Sequence, residues 1–172
     1  YLSVASKAAG FAVLLRVFYL AFGDIGRQED WSILFALLGA LSMIVGNLMA
    51  MTQSNIKRML AYSTVAHAGY ILVGLAAVAV RAPDLEGPGG VLFYLGAYAA
   101  TNLAAFFAVI VISNKVGSDE IDAFAGVGRR APAIAAVLTF AMVSLIGIPP
   151  TAGFMAKLYI FNAAIHSDLL WL

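Results

Sequence analysis

The chain has 172 residues, of which 63% are hydrophobic and only 11% are charged. Soluble domains carry about 25% charged residues, so this chain has too little charge to cover a water-facing surface, and a soluble globular enzyme is excluded. Ten Lys and Arg residues against nine Asp and Glu residues give a net charge of +1. The chain therefore lacks the clustered cations that hold nucleic acid, and we expect no nucleic-acid partner.

The residue types also limit the chemistry of the chain. It has no Cys and only two His residues, so we expect no disulfide, no iron–sulfur cluster and no haem or zinc site, and hence no cofactor in this chain. Tyr1 lies inside an apolar run that has neither a charged leader nor a small-residue cleavage site. We interpret residues 1–172 as a single transmembrane domain, a fragment of a longer membrane protein.

Five apolar runs have the length of about 20 residues that crosses a hydrocarbon core of ~30 Å. Backbone amides must be paired in lipid, which predicts a helix for each run, and no run alternates as a barrel strand does. The predicted fold is all-α and integral to the membrane. Its five transmembrane helices are expected at about residues 1–22, 31–51, 56–80, 91–113 and 132–165.

The connectors predict an orientation, because cytoplasmic loops retain most of the Lys and Arg residues. One side carries Lys57, Arg58, Lys115, Arg129 and Arg130, and the other carries only Arg27 and Arg81. The loops at 52–58 and 114–131 are therefore predicted to be cytoplasmic. Two local features are also expected: a turn at residues 86–90, and a short surface helix over DEIDAF at 119–124 with Ser118 as its N-cap.

The fifth run has 34 residues and is too long for one straight crossing. It contains Gly147, Pro149 and Pro150, and two prolines remove two amide donors and clash with the preceding turn. The sequence therefore predicts a helix broken between Gly147 and Pro150. Irregular backbone at membrane depth is tolerated only beside protein or a water-filled cavity, and broken helices recur at transporter ion sites.

Lys157 follows this break and precedes His166 by nine residues, so it lies roughly 13 Å from the end of its helix. An amine at that depth needs a cavity, an anion or water. It is therefore a candidate station for proton transfer, since burial lets a lysine load and unload a proton readily. The alternative is a structural lysine tied to the half-helix carbonyls at the break.

Lys7 is the second candidate amine. It lies among small residues and about 24 Å from the end of its predicted helix, and small neighbours allow another helix or water to approach. The alternative is a lysine near the cytoplasmic face that acts as an interfacial anchor.

His67 is the main candidate for a link between the two amines, because its ordinary pKa of about 6.5 suits a relay. Tyr62, Tyr94 and Tyr98 are weaker candidates. For each of these polar side chains the alternative is a hydrogen bond that only joins helices.

Three stretches resemble the antiporter-like membrane subunit N of the proton-pumping NADH-quinone oxidoreductase, respiratory complex I. They are SKAAGFAVLLRVF at 6–18, GNLMAMTQSNIKRMLAYSTVAHAGYILVGLAA at 46–77 and SLIGIPPTAGFMAKLYIF at 144–161. The resemblance covers essentially the whole chain, and it implies transmembrane helices eight to twelve of fourteen. It also implies that Lys7 and Lys157 are stations on the hydrophilic axis of that subunit.

The resemblance implies proton translocation in a bacterial plasma membrane, as a subunit of an NADH-quinone oxidoreductase translocase. The other membrane-arm subunits and the lipid bilayer would be its partners, and NADH and quinone would be handled by other subunits. Two departures are present: the glutamate and lysine of helices five and seven are not in this chain, and Ala156 replaces a common glycine. The alternatives are a subunit of a multi-subunit sodium/proton antiporter and a structural membrane scaffold.

Overall fold

The computed structural model describes residues 2–18, 28–79, 86–167 and 169. Within these ranges the chain is helical and has no strand. The helices are α1 (Leu2–Arg16), α2 (Gln28–Met51), α3 (Ile56–Ala79), α4 (Glu86–Val116), α5 (Val127–Arg130), α6 (Pro132–Ile146) and α7 (Ala152–His166), with a 3-10 turn at Ile121–Phe124. The all-helical prediction is confirmed.

Three of these helices, α2, α3 and α4, are long and apolar enough to cross a membrane. By contrast, α1, α6 and α7 have 15 residues each, which is roughly 22 Å of helix. The described residues thus support a multi-pass membrane protein with three full-length apolar helices. Residues 1 and 19–22 of the first predicted helix and residue 80 of the third lie outside the described part of the chain.

Helix α4 begins earlier than predicted, at Glu86, so residues 86–90 are helical and the predicted turn there is wrong. Pro88 is compatible with this position because the first amides of a helix have no intrahelical acceptor. At its other end α4 runs to Val116, past the predicted end at residue 113. Gly117 stops it in a left-handed conformation with φ 77°.

Helix α3 contacts α1, α2, α4 and α7. Its closest neighbour is α2, which it meets through glycines: a Cβ on Gly46 would lie 2.6 Å from the amide nitrogen of Ala66. Similarly, a Cβ on Gly69 would lie 2.7 Å from the carbonyl oxygen of Gly39. This close approach of two backbones is typical of membrane helices, and it fixes the rotation of the helix that carries His67.

The loops before α3 and after α4 meet at one end of the bundle. The amide of Ile56 donates to the carbonyl of Asp119 at 3.0 Å, and the amide of Ile121 donates to the carbonyl of Ser54 at 2.8 Å. The two loops predicted to be cytoplasmic therefore lie on the same side of the helices. The expected surface helix near residue 120 is only a four-residue 3-10 turn without a side-chain cap, because the Ser118 hydroxyl accepts from the amide of Glu120 before that turn begins.

Candidate functional site

The interruption between α6 and α7 positions Lys157. Helix α6 ends at Ile146, where Gly147 adopts a left-handed conformation with φ 88°. Pro149 and Pro150 follow, and Thr151 then caps α7 by accepting from the amide of Phe154. The last four carbonyls of a helix have no intrahelical donor. The interruption therefore leaves carbonyls at the end of α6 free to accept a hydrogen bond from a side chain.

Lys157 donates hydrogen bonds to two of these carbonyls. Its Nζ donates to the carbonyl of Ile146 at 2.9 Å and to the carbonyl of Leu145 at 3.2 Å. The same nitrogen lies 4.8 Å from the ring centroid of Tyr70, within the range of a cation–π contact. The position of the amine is thus the one that the structural alternative for Lys157 describes.

The same lysine also lines a small cavity of about 10 Å³. The other polar side chains of this cavity are His67, Tyr94, Tyr98, Thr101 and Ser144. A volume of about 10–15 Å³ holds roughly one water molecule. On its other side Lys157 borders an outward groove of about 390 Å³ with Asn162. A structural contact with the α6 carbonyls and access to His67 are therefore compatible.

His67 is buried, and its Nδ1 lies 2.5 Å from the hydroxyl oxygen of Tyr94. This hydrogen bond fixes the orientation of the imidazole, and the state of Nδ1 decides which nitrogen carries the proton. The Tyr98 ring lies 5.0 Å from the imidazole, centroid to centroid. Of the three predicted tyrosines, Tyr94 and Tyr98 thus surround His67.

Tyr62 is not part of this cluster. It is half-buried and does not line the cavity. His67 lies five positions after it, which on an α-helix is about 140° of rotation, so the two side chains point to different faces of α3.

Lys7 reaches α3 from α1. Its Nζ donates to the backbone carbonyl of Thr64 at 2.6 Å, and the side chain is half-buried. Thr64 lies one helix turn before His67, and His67 lines the same cavity as Lys157. The structure therefore brings the three main predicted site residues around one segment of α3.

Tyr70 is the site residue that the sequence analysis missed. Its ring contacts the imidazole of His67 at 5.8 Å and the ring of Phe161 at 6.0 Å, as well as the Lys157 amine. The signal was its position three residues after His67, which places both on one face of α3. An aromatic at that spacing is ordinary in a buried helix, so the spacing alone did not single it out.

Charges are paired differently at the end of the bundle where the loops before α3 and after α4 meet, which we call the loop end. There the Lys57 Nζ lies 2.6 Å from the Asp119 carboxylate, and its hydrogen bond to that carboxylate lowers the pKa of Asp119. Asn55 caps α3, since its Oδ1 accepts from the amides of Lys57 and Arg58. Within the described ranges this is the single ion pair, and neither Lys7 nor Lys157 has one. Those ranges also hold no group of three His, Asp or Glu side chains placed to bind a metal.

Known proteins share this arrangement of helices. Residues 1–172 match the transmembrane family described as NADH:quinone oxidoreductase/Mrp antiporter. The chain belongs to this family. Its relatives include NADH-quinone oxidoreductase subunit N of Dehalococcoides mccartyi, 52% identical over all of this chain and 36% of the relative. The corresponding subunit of Desulforamulus reducens is 49% identical over all of this chain and 34% of the relative.

Subunits of two solved complexes are similar to this chain in structure. One is the membrane-bound sulfane sulfur reductase, an archaeal respiratory membrane complex, with a TM-score of 0.87 and 28% identity over 99% of this chain and 34% of that one. The other is the Mrp complex from Dietzia, with a TM-score of 0.79 and 26% identity over 95% of this chain and 29% of that one. The chain spans about a third of the length of the curated relatives it matches.

Proposed function

We propose that this chain is part of a subunit that translocates protons in the membrane arm of an NADH-quinone oxidoreductase. Family membership and the relatives named subunit N support this proposal. Electron transfer would take place in other subunits, and this chain would receive the released energy through contacts with neighbouring membrane-arm subunits. It would carry no redox chemistry of its own.

The proposed topology has five transmembrane segments in a bacterial plasma membrane, with α6 and α7 as two halves of the fifth. The loops at 52–58 and 114–131 would face the cytoplasm. The contact between these two loops supports placing them on one side, and their excess of Lys and Arg supports the cytoplasmic side.

The observation that carries the proposal is the cavity shared by Lys157 and His67. Both interior lysines bind neutral backbone carbonyls instead of carboxylates. An amine paired with a neutral acceptor can lose its proton without leaving an unpaired buried anion, which would be costly. Lys7 and Lys157 would therefore act as two proton stations, with His67, Tyr94 and Tyr98 between them.

The decisive experiment replaces Lys157→Met in the intact complex and measures protons pumped per NADH oxidised in closed membrane vesicles. We expect a several-fold decrease, because Met retains the apolar stem but cannot carry a proton. Lys115→Met is the matched control, since Lys115 lies exposed in the last turn of α4. Unchanged pumping per electron in Lys157→Met would refute the proposed role of Lys157.

A second candidate is sodium/proton exchange in a multi-subunit antiporter, which the similarity to the Mrp complex supports. The same vesicles distinguish the two functions. Sodium movement driven by a proton gradient, lost in Lys157→Met and independent of NADH, would favour the antiporter. Pumping that requires NADH and is unaffected by sodium would favour the oxidoreductase.

A further inference from the structure

The ammonium of Lys157 has three contacts of two kinds. Two of its N–H groups donate to the carbonyls of Leu145 and Ile146, and the ring of Tyr70 lies 4.8 Å from the nitrogen. No carboxylate of the described residues forms an ion pair with it. The electron-rich face of Tyr70 is therefore the main aromatic counterpart of this charge inside the bundle.

The ring of Tyr70 is held in place from several sides. Phe161, one turn after Lys157 on α7, packs edge-on against it with an interplanar angle of 84°. His67 packs against it from α3 at 62°, and Tyr94 lies 6.4 Å away on α4. A ring packed in this way has little freedom to turn its face away from the amine.

The lysine stem is fixed as well. A Cβ on Gly147 would lie 3.1 Å from Cδ and 3.5 Å from Nζ of Lys157, so the stem lies directly against the Gly147 backbone. The amine thus rests between the end of α6 and the face of Tyr70, at the border of the cavity that contains His67.

We propose that Tyr70 is a positioning residue that holds the charged form of Lys157 at the end of α6. A cation–π contact attracts the ammonium and not the neutral amine, and hydrogen bonds to the carbonyls are likewise stronger from a charged donor. The ring therefore distinguishes the two protonation states of Lys157. Loss of the proton would therefore weaken the contacts that hold the amine against Tyr70 and the end of α6.

This inference rests on the proposed proton translocation, and it adds a residue outside the predicted relay. In this inference the face of the Tyr70 ring binds the ammonium, and the Tyr70 hydroxyl has no role. That distinction makes the inference testable without changing the size of the side chain.

The test compares Tyr70→Phe, a series of ring-fluorinated phenylalanines at position 70, and Tyr70→Leu in the intact complex. Fluorine withdraws electron density from the ring face and changes its shape little. We expect Tyr70→Phe to pump nearly normally and each added fluorine to lower protons pumped per NADH in steps. Tyr70→Leu should show a several-fold loss.

Tyr159→Leu is the control, because Tyr159 lies two residues after Lys157 and forms an edge-on pair with Phe93 instead of contacting the amine. It should leave pumping per electron unchanged. A loss in Tyr70→Leu without a graded effect of fluorination would mean that Tyr70 only fills space, and the inference would be wrong. Equal pumping by all position-70 variants would also overturn it.

Lys157→Met, measured in parallel, separates this inference from the proposed function. If Lys157→Met loses pumping while the fluorinated series does not, the inference on Tyr70 fails and the proton-station role stands. If Lys157→Met pumps normally, the proton-station role itself fails.

Discussion

Lys57, at the loop end of the bundle, and Lys157, between the helices, have different kinds of partner. At the loop end, Lys57 is paired with a carboxylate, Asp119, at 2.6 Å. In the bundle interior, Lys157 is paired with the carbonyls of Leu145 and Ile146 and with the ring of Tyr70. Both amines are satisfied, but only Lys57 has a partner with a full negative charge.

The difference has a physical reason. At the surface, water solvates both members of an ion pair, so either one can change its charge at small cost. In the interior, loss of the proton from a lysine that is paired with a carboxylate would strand a buried anion. Neutral acceptors avoid this penalty. Changes in the interior should therefore affect proton transfer, whereas changes at the loop end should affect only stability.

The largest effect is expected from Gly153→Ala, which disrupts the contact between α6 and α7 on which the position of Lys157 depends. A Cβ on Gly153 would lie 1.8 Å from the carbonyl oxygen of Ser144, so α6 and α7 would have to separate. We expect a destabilisation of about 3 kcal/mol and little assembled complex in membranes. The control is Gly96→Ala on α4, where the Cβ meets nothing within 4 Å. Equal amounts of complex from the two variants would contradict the tight contact between α6 and α7.

Gly147→Ala should have the second largest effect, because it strains the backbone and also displaces the side chain of Lys157. The left-handed conformation at φ 88° costs a non-glycine residue about 1–2 kcal/mol, and the new Cβ would crowd the Lys157 stem. Gly117→Ala is the matched control, with φ 77° and open space around its Cβ. Pumping per electron should fall in Gly147→Ala and stay normal in Gly117→Ala. A similar decrease in both would mean that strain alone, and not the lysine contact, limits pumping.

Asn55→Ala tests the loop end. Loss of the cap of α3 should lower stability by about 1 kcal/mol, measured as the heat stability of the assembled complex. Asn114→Ala, at an exposed position near the end of α4, should have a smaller effect. Pumping per electron should be unchanged in both, and a decrease in Asn55→Ala would show that the loop end and the interior are coupled.

Asp119→Asn should have the smallest effect, and that effect depends on pH. The hydrogen bond from Lys57 lowers the folded-state pKa of Asp119 below its ordinary value of 3.8. Its stabilising contribution is therefore present above that value and is lost as the pH falls through the folded-state pKa. Heat stability of the unmodified complex should exceed that of Asp119→Asn slightly at neutral pH. The difference should begin to decrease below about pH 4 and should vanish once the pH lies below the folded-state pKa of Asp119. A difference that grows in acid would refute the ion pair as its cause.

Local chemistry made much of the fold predictable from sequence. Apolar runs of sufficient length predicted α2, α3 and α4, and the prolines at 149 and 150 predicted the interruption that separates α6 from α7. The start of α4 was placed too late because glycine and proline at 88–90 are typical of turns. Proline is equally acceptable in the first turn of a helix, and only tertiary packing decides between the two.

The candidate site was predictable in its members but not in its contacts. A lysine inside an apolar helix needs a polar partner, so the sequence alone singled out Lys7 and Lys157. The identity of each partner depends on how α1, α3, α6 and α7 pack. Tyr70 was missed for this reason, because its importance comes from a helix end far away in sequence. The roles of Lys7, Lys157 and His67 in proton transfer remain predictions that the variants above test.

The cavity between Lys157 and His67 has one more consequence. Because it admits about one solvent molecule, it cannot contain a continuous column of water through which hydrogen ions would diffuse freely. If Lys157 and His67 exchange protons as we propose, transfer across this gap would therefore require a rearrangement of side chains. In the proposed pump, such a gap would limit the backward flow of protons between successive cycles.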